Sequence, residues 1–193
     1  MISRDPAVSN IKQTSSSSSS SKQTVVSKWS GYASTYATSF PTQVDTELTG
    51  TITPSGNDSP ILVSISLPYS LSTARYSSGS FWSIWAILHS YAAGGDPLSG
   101  SHVGSAILKN QRGMPTISYS EDISDLGVFS ADFITTISIP TSFYVSVTAS
   151  PGSSPVSVVI GNVGSGYDNK TATFVDNYAV MTIREVDTWN EIL

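Results

Sequence analysis

The sequence predicts an all-β protein, folded as a β-sandwich or jelly roll with an extended N-terminal arm. Three observations carry this expectation. Apolar residues recur with period two rather than the roughly 3.6 of a helix, turn-forming clusters separate the alternating runs, and hydroxyls supply most of the polarity. Of 193 residues, 39 are Ser and 19 are Thr, while charged residues make up only 12%. That is about half the usual roughly 25%. At roughly 150 residues per domain, the length fits one domain plus an arm.

The arm comes first. Residues 1–28 hold Arg4, Lys12, Lys22 and Lys28 against Asp5 alone, a net +3, whereas residues 29–193 carry −8. The serine run Ser15 to Ser21 has no apolar area to offset the entropy of ordering it. Residues 1–28 are therefore expected to be a flexible basic arm, either a free tail or a tether for a larger acidic assembly, and residues 29–193 the sandwich domain.

Strands follow in order. Val44, Thr46, Leu48, Gly50 and Ile52 share one face of the first strongly alternating run. Ile61, Val63, Ile65 and Leu67 share another, with Ser64 and Ser66 opposite. Phe143, Val145, Val147 and Ala149 alternate with Tyr144, Ser146 and Thr148; Val156, Val158 and Ile160 follow. Ala179, Met181 and Ile183 alternate with Val180, Thr182 and Arg184 in the last run. Turn signals lie between them: Pro54 to Asp58, Gly94-Gly95-Asp96-Pro97, Ser150 to Ser153, and Gly164-Ser165-Gly166. The one helical expectation is a single turn near Glu121 to Asp125. The segment Ser80 to Tyr91 differs from the rest in being apolar on both faces. It is expected to be either a central core strand or one whose outer face meets a neighbouring subunit. Its longest apolar stretch, Phe81 to Leu88, is far shorter than the roughly 20 residues of a membrane-spanning helix.

Chemistry is sparse. There is no cysteine, which excludes disulfides, thiolate metal sites and cysteine nucleophiles. Of the two histidines, His89 lies in the apolar strand and is expected to be packed and hydrogen-bonded. His102 with Ser101 and Asp96 resembles a triad only in residue type, since triads are defined by geometry. No H-E-x-x-H or His/Cys cluster points to a metal; Glu121, Asp122 and Asp125, or Asp168 and Asn169, are the nearest to a calcium-binding loop. An acidic chain without clustered Lys/Arg lacks the counterion-release term of nucleic-acid binding. Trp29, Tyr32, Tyr36 and Phe40 recur every three or four residues, and exposed aromatics beside hydroxyls suit sugar stacking, although such rings are more often buried. The sequence therefore assigns no enzyme activity, catalytic residue, cofactor or metal.

Two segments resemble known modules. Thr49 to Ile65, a hydroxyl-rich strand, a Thr53-Pro54 turn and an Ile61-Leu62-Val63 strand, is similar to the opening of small β-sandwich modules on phage virions, especially those of cyanophages. Ala179 to Val186 is similar to their closing strand, which ends in an acidic and then an aliphatic residue. Pro60 stands where such modules frequently carry a lysine. The resemblance spans approximately residues 43–187. It implies a trimeric jelly roll of TNF/C1q-like architecture, as in capsid cement (decoration) proteins and the tips of tail fibres or tailspikes. Phe81, Trp82, Trp85 and Ile87 would then be buried between the three subunits. Length favours the cement role, since 193 residues leave no room for a fibre shaft. The expected partners are the protein itself and the major capsid protein, met on the outer capsid surface by Arg4, Lys12, Lys22 and Lys28. The alternative is a receptor-binding tip whose partner is a host-surface glycan. Neither nucleic acid nor membrane insertion is expected.

Overall fold

The computed structural model describes residues 22–73, 82–111, 123–151, 156–161 and 178–187. Ten strands form within them: β1 (Thr24–Trp29), β2 (Tyr32–Ala37), β3 (Thr42–Ile52), β4 (Ser59–Thr73), β5 (Trp82–Ala92), β6 (Ser101–Gln111), β7 (Ile123–Ile137), β8 (Thr141–Pro151), β9 (Val156–Gly161) and β10 (Ala179–Glu185). A short 3₁₀ turn, Pro97–Ser99, is capped by the Asp96 carboxylate, which accepts from the Leu98 N–H at 2.9 Å.

All pairings are antiparallel, in two sheets. The first runs β1-β10-β4-β9-β2, with β7 on the other edge of β4; the second runs β3-β8-β5-β6. In the first sheet β9 and β10 lie end to end along β4, which pairs with β9 over Tyr69–Thr73 and with β10 over Ile61–Ser66. Beyond them β2 and β1 form a matching broken column. Each sheet therefore has four columns. Counting the broken columns as one strand each, the orders are first-eighth-third-sixth and second-seventh-fourth-fifth, with only β5 and β6 consecutive within a sheet. That connectivity is a jelly roll.

The period-two faces meet as the sequence predicts. Ile61, Val63, Leu67, Phe143, Val145 and Ile183 have essentially no exposed surface and fill the space between the sheets. Phe129 of β7 stacks on Tyr69 of β4, with ring centroids 3.7 Å apart. Along β3 the register slips between Asp45 and Thr49. The Thr46 hydroxyl makes the slip tolerable: it donates to the Val145 carbonyl at 2.6 Å and accepts the Leu48 N–H at 3.4 Å. A buried backbone acceptor is thus satisfied where the ladder cannot do so. The same slip presents Glu47, whose carboxylate accepts the Trp29 indole N–H at 3.2 Å and ties the edge of one sheet to the edge of the other.

The structure moves two boundaries. The first sheet starts at Thr24, so Thr24 to Lys28, placed in the arm by composition, form β1, and Lys28 lies opposite Val180. Alternation explains this: Val25 and Trp29 face the core, whereas charge alone made the segment look like arm. The turn expected near Glu121 to Asp125 is replaced by the start of β7 at Ile123, which pairs with Thr73; Glu121 and Asp122 lie outside the described residues, as do the serine run and Gly164-Ser165-Gly166.

Several loops and chain segments gather at one end of the sandwich. There Gln23 accepts the Glu185 N–H through its backbone, and Lys22 forms an ion pair with Asp187. Glu185 itself is buried, accepting from the Ser55 N–H at 3.0 Å and the Ser55 hydroxyl at 2.6 Å. Burial pushes its pKa up, but the Ser55 and Ser59 hydroxyls, the Ser55 N–H and the Lys22 charge outweigh it and hold the carboxyl below its usual value.

Two glycines are required by close approach. At Gly50 a Cβ would lie 2.7 Å from Ile183 across the core. At Gly161, φ is +99°, and a Cβ would fall 2.3 Å from the Gly31 carbonyl oxygen. This is the point where both broken columns are interrupted side by side. Gly161→Ala is therefore expected to cost about 2 kcal/mol or more, read as a lower urea midpoint, while Gly56→Ala in the open β3–β4 turn changes it by less than about 0.5 kcal/mol.

Candidate functional site

The outer face of the second sheet concentrates the chain's unusual surface residues. In β5, Ile84, Ala86 and Leu88 have no exposed surface and face the core, so Trp85, Ile87, His89 and Tyr91 face outward. This resolves the segment that looked apolar on both sides: it is a central strand, flanked by β8 and β6, with a half-buried apolar outer row. Phe81 lies outside the described residues. Trp82 begins the strand opposite Pro151.

Register builds the face in rows. Trp85 lies opposite Thr148 of β8 and Ile107 of β6, and Ile87 opposite Ser146 and Ser105. Ile107 is 50% exposed. Trp85, Ile87 and Ile107 make an apolar half, with the Trp85 indole N–H donating to the Ser83 hydroxyl at 2.8 Å. The next row is Tyr144, His89 and His102. Irregularities at Ile84/Trp85 and Leu88/His89 in the β5–β6 pairing leave Leu108 and Val103 as extra residues on β6, partly buried against the core. They keep Ile107 and His102 on the outer face.

The polar half is a tight aromatic cluster. The His89 ring stacks on Tyr144, with centroids 4.5 Å apart and planes 9° from parallel, and meets His102 edge-on at 6.4 Å. Tyr91 tilts against Tyr144 at 6.0 Å. His89 Nε2 and the Ser146 hydroxyl share a hydrogen bond of 2.9 Å. His89 is therefore satisfied, as expected, although it sits on the outer face and not in the core. Burial lowers its pKa, and His102 adds to this while Asp45, opposite Ser146, works against it. Burial also raises the Tyr144 pKa, reinforced by Asp45 and Tyr91, so the phenol stays protonated.

The polar groups of this face are engaged with one another. Ser146 has no exposed surface, so its hydroxyl positions His89 and is out of reach of any substrate. No hydrogen bond joins Asp96, Ser101 and His102; Asp96 is spent on the 3₁₀ turn, bonding Leu98 and, through its carbonyl, Ser99. Among the described residues no group of three or more His, Cys, Asp or Glu could hold a metal ion; Asp168 and Asn169 lie outside them. Of the arm residues, Lys22 and Lys28 are placed as above, and Arg4 and Lys12 lie outside the described residues. Composition could not reveal Tyr144, Tyr91 and Ile107 as part of this face, because only long-range register brings them beside β5.

No protein-family model and no curated protein matches the sequence. Solved structures similar to the chain include the VP2 subviral particle of infectious bursal disease virus, at 13% identity and a TM-score of 0.39, covering 95% of this chain and 43% of that one. The Gx strain of the same virus gives 10% identity and a TM-score of 0.38, covering 85% and 37%. The chain spans less than half the length of these proteins.

The His89 environment has a pH consequence. A folded-state pKa below the unfolded value favours the neutral ring, so its contribution is full above about 6.5 and is lost as pH falls through the folded-state value. His89→Gln, which can still bond Ser146, is expected to flatten the dependence of stability on pH between about 7 and 5. Urea unfolding at both pH values checks this.

Proposed function

We propose that the chain is a structural virion protein: a trimeric capsid decoration knob that cements the outer surface of a phage head through its basic arm. The observation that carries this is the spatial relation of the two segments resembling phage virion modules. Thr49 to Ile65 runs from β3 into β4, Ala179 to Val186 contains β10, and β10 pairs with β4 from Ile61 to Ser66. The resemblance thus falls on hydrogen-bonded neighbours in a jelly roll, not on scattered strands.

Two features support the assembly. Trp85, Ile87 and Ile107 form an apolar strip of the kind that a threefold contact buries, and depletion of charge there suits an interface centre. The arm leads into β1 at the end where Lys22, Asp187, Glu185 and the β3–β4 turn meet, so that end faces the shell in this proposal. Three arms on one trimer multiply a weak individual contact through effective concentration.

Copy number in purified virions, by quantitative mass spectrometry, tests the placement. Hundreds of copies in simple ratio to the major capsid protein are expected; a few tens would favour a receptor-binding tail tip, and absence would sink both. Deleting residues 1–21, which leaves β1 intact, should preserve the trimer and abolish decoration of particles. Trp85→Asp should yield folded monomers in analytical ultracentrifugation; an unaltered trimer would remove this strip from the interface.

A further inference from the structure

The aromatic series just after the arm has no part in the site above, and the structure divides it. Trp29 is 8% exposed and sealed by Glu47, whereas Tyr32, Tyr36 and Phe40 are 68%, 62% and 79% exposed. In β2, Ala33, Thr35 and Ala37 face the core, so both tyrosines stand on the outer face of the first sheet. They lie four residues apart, about 13 Å along the strand, and the exposed Phe40 follows in the bend between β2 and β3. Among the described strands, β2 pairs only with β9.

The surroundings select the ligand. Between the tyrosines stands Ser34; across the ladder lie Val159 and Ser157 of β9, and beyond Val159 lies Ser70 of β4. No charged residue occurs from Trp29 to Val44, in β9, or from Tyr69 to Thr73. Nucleic acid or an anionic polymer would need Lys or Arg here. An amphipathic ring offers an apolar face with a hydroxyl at its tip, and a sugar ring offers the complementary apolar face rimmed with hydroxyls. We infer that Tyr32, Tyr36 and Phe40 form a binding strip for a neutral polysaccharide chain, laid along β2 and hydrogen-bonded by the serine hydroxyls beside it.

The strip lies on the opposite face of the sandwich from Trp85, and runs away from the end where the arm enters. If that end docks on a shell as proposed, the strip faces outward; the strip itself does not depend on that docking.

Glycan-array binding and isothermal titration of the full-length protein test it, using neutral bacterial O-polysaccharides, dextran and cello-oligosaccharides as probes. Binding of at least one neutral glycan is expected, weakened about tenfold by Tyr32→Ser or Tyr36→Ser and more by the pair, a factor of ten being 1.4 kcal/mol. Phe40→Ala, outside any strand, provides a variant that leaves the sheet untouched and should weaken binding too. Trp85→Asp should bind glycan normally even as a monomer, which separates failure of the strip from failure of the trimer. No binding to any neutral glycan, binding insensitive to all three ring variants, or a change in oligomeric state on Tyr32→Ser would overturn the inference. The last outcome would assign the rings to a contact between copies.

Discussion

Strand β4 sets the frame on which every other placement depends. Its inward residues, Ile61, Val63, Ile65, Leu67, Tyr69 and Leu71, alternate without interruption and are all buried. A slip of one residue would turn the whole set to solvent, so the register is firmly specified. β7 pairs along the full length of one edge, while the other edge is divided between β10 and β9. Leu67 and Pro68 fall in the gap between those two partners. Proline has no N–H to offer a ladder, so the division comes where β4 has least to lose. Gly161 and Gly31 then let the interrupted columns pass each other at that level.

Alternation made β3, β4, β8, β9 and β10 legible in the sequence, because each turns a regular apolar row to the core and a mixed row, rich in hydroxyls, to the other face. Strand β6 was not legible: its two irregularities put Val103 and Leu108 against the core out of step with a simple alternation. β7 was missed for a related reason, since its outer residues include exposed Val128 and Ile134, so apolar residues occur on both faces. The same ambiguity hid the two sides of β5, which only its pairing with β8 and β6 separates. The spacing of Trp29, Tyr32, Tyr36 and Phe40 looks helical, yet on extended chain it puts position 29 inward and positions 32 and 36 outward. Tyr144 against His89 required a pairing across 55 residues of sequence, which no local pattern contains.

A jelly roll exposes two outer faces pointing in opposite directions, and this chain equips them differently. The outer face of β8, β5 and β6 has a half-buried apolar strip and a stacked His–Tyr cluster, both suited to a contact that excludes water. The outer face of β2, β9 and the adjoining half of β4 is uncharged and carries hydroxyls with protruding rings. Occupying one face leaves the other accessible. A contact made through one face would therefore not compete with a contact made through the other.

The chemical economy of the fold follows from its scarcity of charge. Lys22–Asp187 is the one ion pair among the described residues, and it sits at the surface, where such pairs contribute little. Hydroxyls take over the connecting role: Thr46 repairs the β3 slip, Thr51 and Ser142 bond across β3 and β8 at 2.7 Å, and Ser55 holds Glu185. A neutral hydroxyl bond is insensitive to salt and does not titrate, so the sandwich gains cohesion that ionic strength barely alters. Glu185 and His89 are the exceptions, and both favour the form present at neutral pH. Their folded-state pKa values are lowered, so each loses its contribution only as pH falls through its own folded-state value. Salt therefore has little to act on in this sandwich, whereas acid acts on at least these two side chains.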